Sequence, residues 1–238
     1  MMSKVLLITI GIASAAALIA ISIISSGYNS QIGYNNNRSI INDINSHKFI
    51  PINENANVKG YISSQLHAYL TWDELVSEHN TIIVGEVVKV RGSLHYTPPS
   101  LPEELKATHS LPFTYSDVKV EKVLKGININ EGDTIIVEQL GGMIDEENMA
   151  LSDSDIILKE GERYVMFLLG PSEVSWAKGL IAYGTAIHTR YIIVDNRVYS
   201  MDHFYPEMAN ELHVNGKPLQ EFINDITAII IKEGVKGR

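Results

Sequence analysis

The chain has 238 residues, 45% of them hydrophobic, and it is acidic: 28 Asp and Glu stand against 19 Lys and Arg, a formal net charge of −9. That charge argues against a nucleic-acid partner, whose phosphates need a basic face, and against a role on anionic lipid at a cytoplasmic surface. The absence of cysteine excludes thiolate catalysis, Cys-ligated zinc, iron–sulfur clusters, blue copper and lipid attachment through an N-terminal Cys, and leaves stability to burial rather than disulfides.

Val5 to Ile24 is a run of twenty uncharged residues in which Thr9, Ser14 and Ser22 are the most polar. At about 1.5 Å per helical residue it spans about 30 Å, the hydrocarbon thickness of a bilayer. Residues 1–25 are therefore expected to be an N-terminal transmembrane anchor. Lys4 on the short flank favours an N-inside orientation, which makes this a single-pass membrane protein with its C-terminal domain outside the cytoplasm. The alternative is a cleaved signal peptide, with Ala13-Ser14-Ala15 or Ala15-Ala16-Ala17 at the cut. Against cleavage, the apolar run continues from Leu18 to Ile24, which a signal does not need.

Residues 26–65 are rich in Asn, including Asn29, Asn35, Asn36 and Asn37, and lack a sustained period. They read as a polar stalk with too little apolar surface to offset the entropy of ordering. Asn37-Arg38-Ser39 is the chain's one N-x-[ST] sequon, which makes Asn37 a candidate glycosylation site.

A β-rich domain is expected over residues 66–214. Thr71-Trp72-Asp73-Glu74 matches a capping box and predicts a short helix to about His79. The β-branched run from Thr81 to Arg91 predicts a strand with Ile82, Val84, Val88 and Val90 on one face and a bulge or bend at Gly85. A proline-bearing loop follows (Pro98, Pro99, Pro102), longer than a connection needs, and is a candidate contact loop. From about Phe113 to Leu124, Val118 and Val120 alternate with Asp117, Lys119 and Glu121, the pattern of a strand with one face in the core. Thr134–Leu140 predicts a further strand, closed by Gly141-Gly142. Arg163–Leu169 is apolar on both faces and hence central. Tyr191–Val194 and Arg197–Ser200 flank Asp195-Asn196 as a two-residue hairpin. In the last segment, 215–238, Asn215-Gly216 turns the chain and Pro218 suits a first helical turn. Leu219, Phe222, Ile223, Ile226 and Ile230 then recur at helical spacing, with Gly234 as the stop. This amphipathic helix is expected to dock on the sheet. Short strands at this spacing, with no intervening helices, predict a mainly β fold, a small antiparallel sandwich or barrel.

The segments Thr81–Val87, Tyr115 to Gly126, Gly132–Val137, Gln139–Gly142 and Gly161–Leu168 resemble a set of exported bacterial and archaeal domains. Those are similar in strand order to the netrin and tissue-inhibitor-of-metalloproteinase modules. The resemblance covers about residues 71–200 and implies an OB-like five-stranded barrel with flanking helices. The eukaryotic inhibitors chelate a protease metal through an N-terminal cysteine, which this chain lacks, so inhibition does not carry over.

Candidate chemistry is sparse. Asp145, Glu146, Glu147, Asp153 and Asp155 gather five carboxylates in one stretch, hard oxygen ligands of the kind that hold Ca²⁺, although their spacing departs from the D-x-[DN]-x-[DN]-G pattern. The eight histidines are scattered without an HExxH pair, and no G-x-S-x-G elbow is present. No catalytic or cofactor-binding residue is assigned. The expected function is a membrane-anchored extracytoplasmic binding or envelope-interaction module with a protein or envelope partner. The alternatives are an accessory subunit of a membrane complex, or a hydrolase or metal-dependent enzyme whose site is assembled from distant residues.

Overall fold

The β-branched run beginning at Thr81 becomes the longest strand of the protein, and the other elements are arranged around it. The computed structural model describes residues 47–62, 71–97, 110–152, 156–174, 177, 179–185, 187–201 and 212–236. Val5–Ile24, Asn37, Asp153 and Asp155 lie outside the described residues. In chain order the elements are β1 (Asn57–Ile62), α1 (Trp72–Glu78), β2 (Thr81–Tyr96), β3 (Leu111–Lys125), β4 (Thr134–Met143), β5 (Asn148–Ser152), β6 (Arg163–Glu173), β7 (Ile181–Thr185), a 3₁₀ turn (Ile187–Thr189), β8 (Arg190–Val194), β9 (Arg197–Ser200), β10 (Lys217–Pro218) and α2 (Leu219–Lys236). The fold is mainly β, as the strand spacing predicted. Among the described residues no helix is long and apolar enough to cross a membrane.

The strands form one sheet in the order β1-β5-β4-β3-β2-β6-β8-β9-β10, and β7 pairs with both β4 and β6. Hydrogen-bonded pairing therefore runs in a circuit, from β2 to β3, β4, β7, β6 and back to β2. The β4–β7 contact is parallel and the other four are antiparallel. Outside the circuit, β8 to β10 extend the edge of β6, while β5 and β1 extend the far end of β4.

Side-chain alternation sends the two faces of β2 and β6 into two different cores. Ile82, Val84, Val165 and Phe167 point to the side covered by the helices, where Trp72, Leu75, Phe222 and Ile226 pack on them. Trp72 is the hub, with its ring 5.3 Å from Tyr191, 5.7 Å from Phe222 and 6.1 Å from Phe167. Thr71 caps α1 by accepting from the Glu74 amide at 3.2 Å, the expected cap. At the other end of α1, Lys125 donates to Val76 O at 2.6 Å and His79 Nδ1 to Leu75 O at 2.8 Å, so two of its last carbonyls are satisfied. The opposite face supplies Ile83, Val87, Val118, Val120, Val137, Tyr164, Met166 and Leu168 to a second core, enclosed by the circuit. A third cluster, on the outer side of β3, β4 and β7, holds Tyr96, Phe113, Tyr115, Ile136 and Leu180.

Four expectations are corrected. Ile82, Val84, Val88 and Val90 do not share one buried face: Val88 is 44% exposed and Val90 packs on the second core. The β2–β3 register slips between Val87 and Lys89, and a bulge of one residue reverses which side faces inward. Gly141-Gly142 does not end β4, which continues to Met143 with both glycines at positive φ (104° and 140°). Gly234 lies inside α2 rather than stopping it. The span read as a stalk also contributes to the fold, because β1 lies parallel to β5 and Ile50 pairs with Ser93 of β2. The gain is local backbone pairing with an otherwise open edge, which composition alone does not reveal. The Asp195-Asn196 hairpin is as expected, with φ of 48° and 58°, and Val194 pairs with Arg197.

Gly142 is required by close approach as well as by φ. A Cβ there would fall well inside van der Waals contact with Ser93 Oγ and Thr114 Oγ1, two hydroxyls that tie β2, β3 and β4 together through Met143 N at 2.8 Å and Gly141 O at 2.7 Å. Gly132, with φ of 91°, has nothing within 4 Å of such a Cβ. Gly142→Ala is expected to cost about 3 kcal/mol and Gly132→Ala about 1 kcal/mol, the difference being overpacking added to backbone strain. Denaturant unfolding followed by circular dichroism measures both, and equal losses would contradict this account.

Candidate functional site

On the outer side of the β3–β4 pair, alternation places Ile136, Glu138 and Leu140 on one face, with Tyr115 directly opposite Glu138 in the register. Ile136 is buried and Leu140 packs against the same apolar cluster. A carboxyl group has thus been set into a row of aliphatic and aromatic side chains. Its Oε2 accepts from the Tyr115 hydroxyl at 2.5 Å. Burial pushes the Glu138 carboxyl up to about 7, while the Tyr115 hydrogen bond pulls in the other direction by favouring the ionised form. Perturbed carboxyl groups in partly exposed apolar settings are where function concentrates, although structural groups are perturbed too.

Two other segments border the site. The connection from β6 to β7 packs Val174, Ala177 and Leu180 into the cluster, and β7 brings Gly184 alongside Glu138. From the N-terminal side, residues 47–53 cross the edge of β2 as a strap. Phe49 meets Tyr115 edge-to-face at 5.8 Å. Ile50 exchanges two backbone hydrogen bonds with Ser93, of 2.9 and 2.8 Å. Asn53 Nδ2 donates to Glu146 O at 3.1 Å. Gly92, φ 114°, admits the Ile50 carbonyl where a side chain would not fit.

Three of the five residues singled out as calcium ligands, Asp145, Glu146 and Glu147, are among the described residues. Asp145 Oδ1 accepts from the amides of Glu147 and Asn148, both at 2.9 Å, and from Asn148 Nδ2, so it closes the β4–β5 turn. Those hydrogen bonds, the Asn148 side chain first, hold its carboxyl below the usual range. Glu146 and Glu147 offer their backbone carbonyls to Asn53 and Asn57. Asp153 and Asp155 are outside the described residues, and so is Asn37. Among the described residues no three His, Asp or Glu side chains stand together as a metal-holding group.

The histidines are dispersed. His79 is buried, and that burial lowers its pKa to about 4, so it is neutral at pH 7 and serves to cap α1. His95 Nε2 donates to Met143 O at 2.8 Å, and its Nδ1 lies 3.4 Å from Ser110 Oγ. This contact pins the start of β3 to the ends of β2 and β4. Arg190, fully buried, lies over the Tyr164 ring at 5.9 Å and donates to Ile156 O. Gln139 holds the same segment through Ile156 O at 3.0 Å and Leu158 N at 2.9 Å. Glu138 and Tyr115 were not singled out from the sequence. The available signal was Glu138 standing at i±2 from Ile136 and Leu140, a carboxylate where the period calls for an apolar residue.

A group whose folded pKa is raised stabilises the fold fully below its unfolded value and loses that contribution as pH rises through its folded pKa. With Glu138 raised from 4.5 to about 7, stability is expected to fall by about 1–3 kcal/mol between about pH 5 and pH 8. In Glu138→Gln this slope should largely disappear, and in Tyr115→Phe the carboxyl midpoint should move higher still. Urea titrations across pH, with carboxyl carbon NMR for the midpoint, check both; an unchanged slope in the Gln variant would rule the assignment out. Compared with models of known protein families and with curated proteins, the chain matches none.

Proposed function

We propose that this chain is a membrane-tethered binding module in which an OB-like barrel, held outside the cytoplasm, takes a protein or envelope partner on the outer face of β3 and β4. The observation that carries the reading is the pairing circuit with its parallel β4–β7 contact. Numbered within the circuit, β2, β3, β4, β6 and β7 are strands one to five, and the order around it is 1-2-3-5-4-1. That order fits a five-stranded Greek-key barrel of OB type, and the resemblance to netrin-like modules agrees with it. Barrels of this type bind on the face of strands two and three and through the loops after strands one and four. Here those are the β3–β4 face, the connection between β2 and β3, whose Pro98, Pro99 and Pro102 lie outside the described residues, and the segment between β6 and β7. The Glu138–Tyr115 pair stands on that face.

The partner class follows from charge. An acidic chain repels nucleic acid, the ligand of many OB folds, and favours polar or cationic surfaces. The apolar run Val5–Ile24 supports the tether, and the compartment follows from its orientation.

Protease added to intact cells is expected to remove the β domain; a fully protected domain would overturn the extracytoplasmic placement. The binding face is tested by affinity purification of the full chain from detergent-solubilised membranes. Leu140→Arg, on the proposed face, should lose a co-purifying partner that Val194→Arg, on the β8–β9 hairpin, retains. A partner kept equally by both variants, or none recovered with the unmodified chain, counts against the face.

A further inference from the structure

Four carboxylates on the sheet and helices have cations of their own. Asp117 pairs with Arg91 at 2.7 Å, Glu121 with Arg163 at 2.6 Å, Asp225 with Lys217 at 2.5 Å, and Asp73 with Lys232 at 2.6 Å. Glu138 differs: among the described residues its hydrogen-bond partner is the Tyr115 hydroxyl, through Oε2, and no cation contributes to its titration. It is nevertheless set among apolar groups, where an ionised carboxylate without a counter-charge is costly. The groups around it are few. β3 presents Tyr115 and, one pleat away, Asp117, which Arg91 of β2 already holds. β7 presents Gly184, and β4 itself flanks the carboxyl with Ile136 and Leu140. The β6–β7 segment brings Val174, Ala177 and Leu180 to the cluster, and the strap brings Phe49, with His47 and the exposed Lys48 next in the chain.

We propose that Glu138 is the seat for a lysine ammonium presented by a protein partner, the missing cation of this carboxyl being supplied in trans. The proposal rests on the binding-face reading and names the chemistry the face recognises. Charge complementarity supports it, since a chain of net charge −9 attracts basic partners before contact and repels acidic ones. Geometry favours lysine over arginine. Tyr115 occupies Oε2, so Oε1 remains for one point contact, which suits a compact ammonium better than a planar fork that engages both oxygens. The neighbouring apolar side chains then cover the four-carbon stem of the lysine. Pairing in this setting is stronger than at a wet surface, because the carboxyl has already lost much of its water.

The test uses the uniformly labelled full chain in detergent micelles. The probes are n-butylammonium, which reproduces the end of a lysine side chain, and n-butanol, its neutral counterpart. With butylammonium at saturation, the carboxyl carbon of Glu138 should titrate at least about one pH unit lower than in sodium of equal ionic strength. That shift corresponds to about tenfold tighter binding to the ionised form. Glu138→Gln should weaken butylammonium at least about tenfold and leave n-butanol unchanged, both read from the amides of Tyr115, Ile136 and Gly184. If both probes move those amides while the Glu138 midpoint stays fixed, the lysine seat is wrong and the binding face stands. If neither probe moves them, the face itself is wrong.

Discussion

The constraint on which the rest of the structure depends is that the first half of β2 is paired on both edges and buried on both faces. Residues 82–86 are paired with β3 on one side and β6 on the other. Ile82 and Val84 serve the helix-covered core, and Ile83 the enclosed one. A segment so used tolerates no slip, because moving it by one residue would exchange the two cores. Gly85 shows how tight the space is, since a Cβ at that position would lie 2.6 Å from Val118 Cγ1. The helices, the β8–β10 extension and the pairing circuit all take their positions from this one strand and its partner β6.

Much of this was legible in the residues. Alternation identified Val118 and Val120 as inward-facing, the apolar stretch at Arg163 announced a strand buried on both sides, and Asp195-Asn196 announced its hairpin. Helical spacing picked out Phe222, Ile223 and Ile226, which are buried in α2. What escaped has a common cause: it depends on contacts distant in sequence. The bulge after Val87 follows from the partner strand, and Gly141-Gly142 continue β4 because Ser93 and Thr114 require a close backbone. β1 is ordered by β5, about ninety residues further on. The candidate site was equally hidden, because Glu138 is unremarkable until Tyr115, from β3, is set opposite it. In the acidic stretch the role of Asp145 in closing the β4–β5 turn was equally invisible, because it depends on the backbone amides of Glu147 and Asn148.

The Glu138–Tyr115 pair also illustrates how a β-sheet stores an ionisable group. Period-two alternation offers a polar residue only two environments, and a carboxylate assigned to the apolar one either finds a counter-ion, releases its charge or bends the strand. β4 keeps its pairing with β3 through Glu138, with Val137 and Gln139 buried on either side, and the register slips only beyond Gln139. The compromise is a carboxyl held near the midpoint of its titration at neutral pH, supported by one phenolic hydrogen bond.

The strap carries a mechanical consequence. Among the described residues, the chain from His47 onward meets the sheet through Phe49 against Tyr115 and the Ile50–Ser93 bridge, and then through Asn53 and β1. A pull applied at His47 therefore loads the Phe49–Tyr115 contact and that bridge, and through them β3 and β2, before it reaches β1. Tension along the chain would thus act on Tyr115, the side chain that also holds Glu138 on the face proposed for a partner.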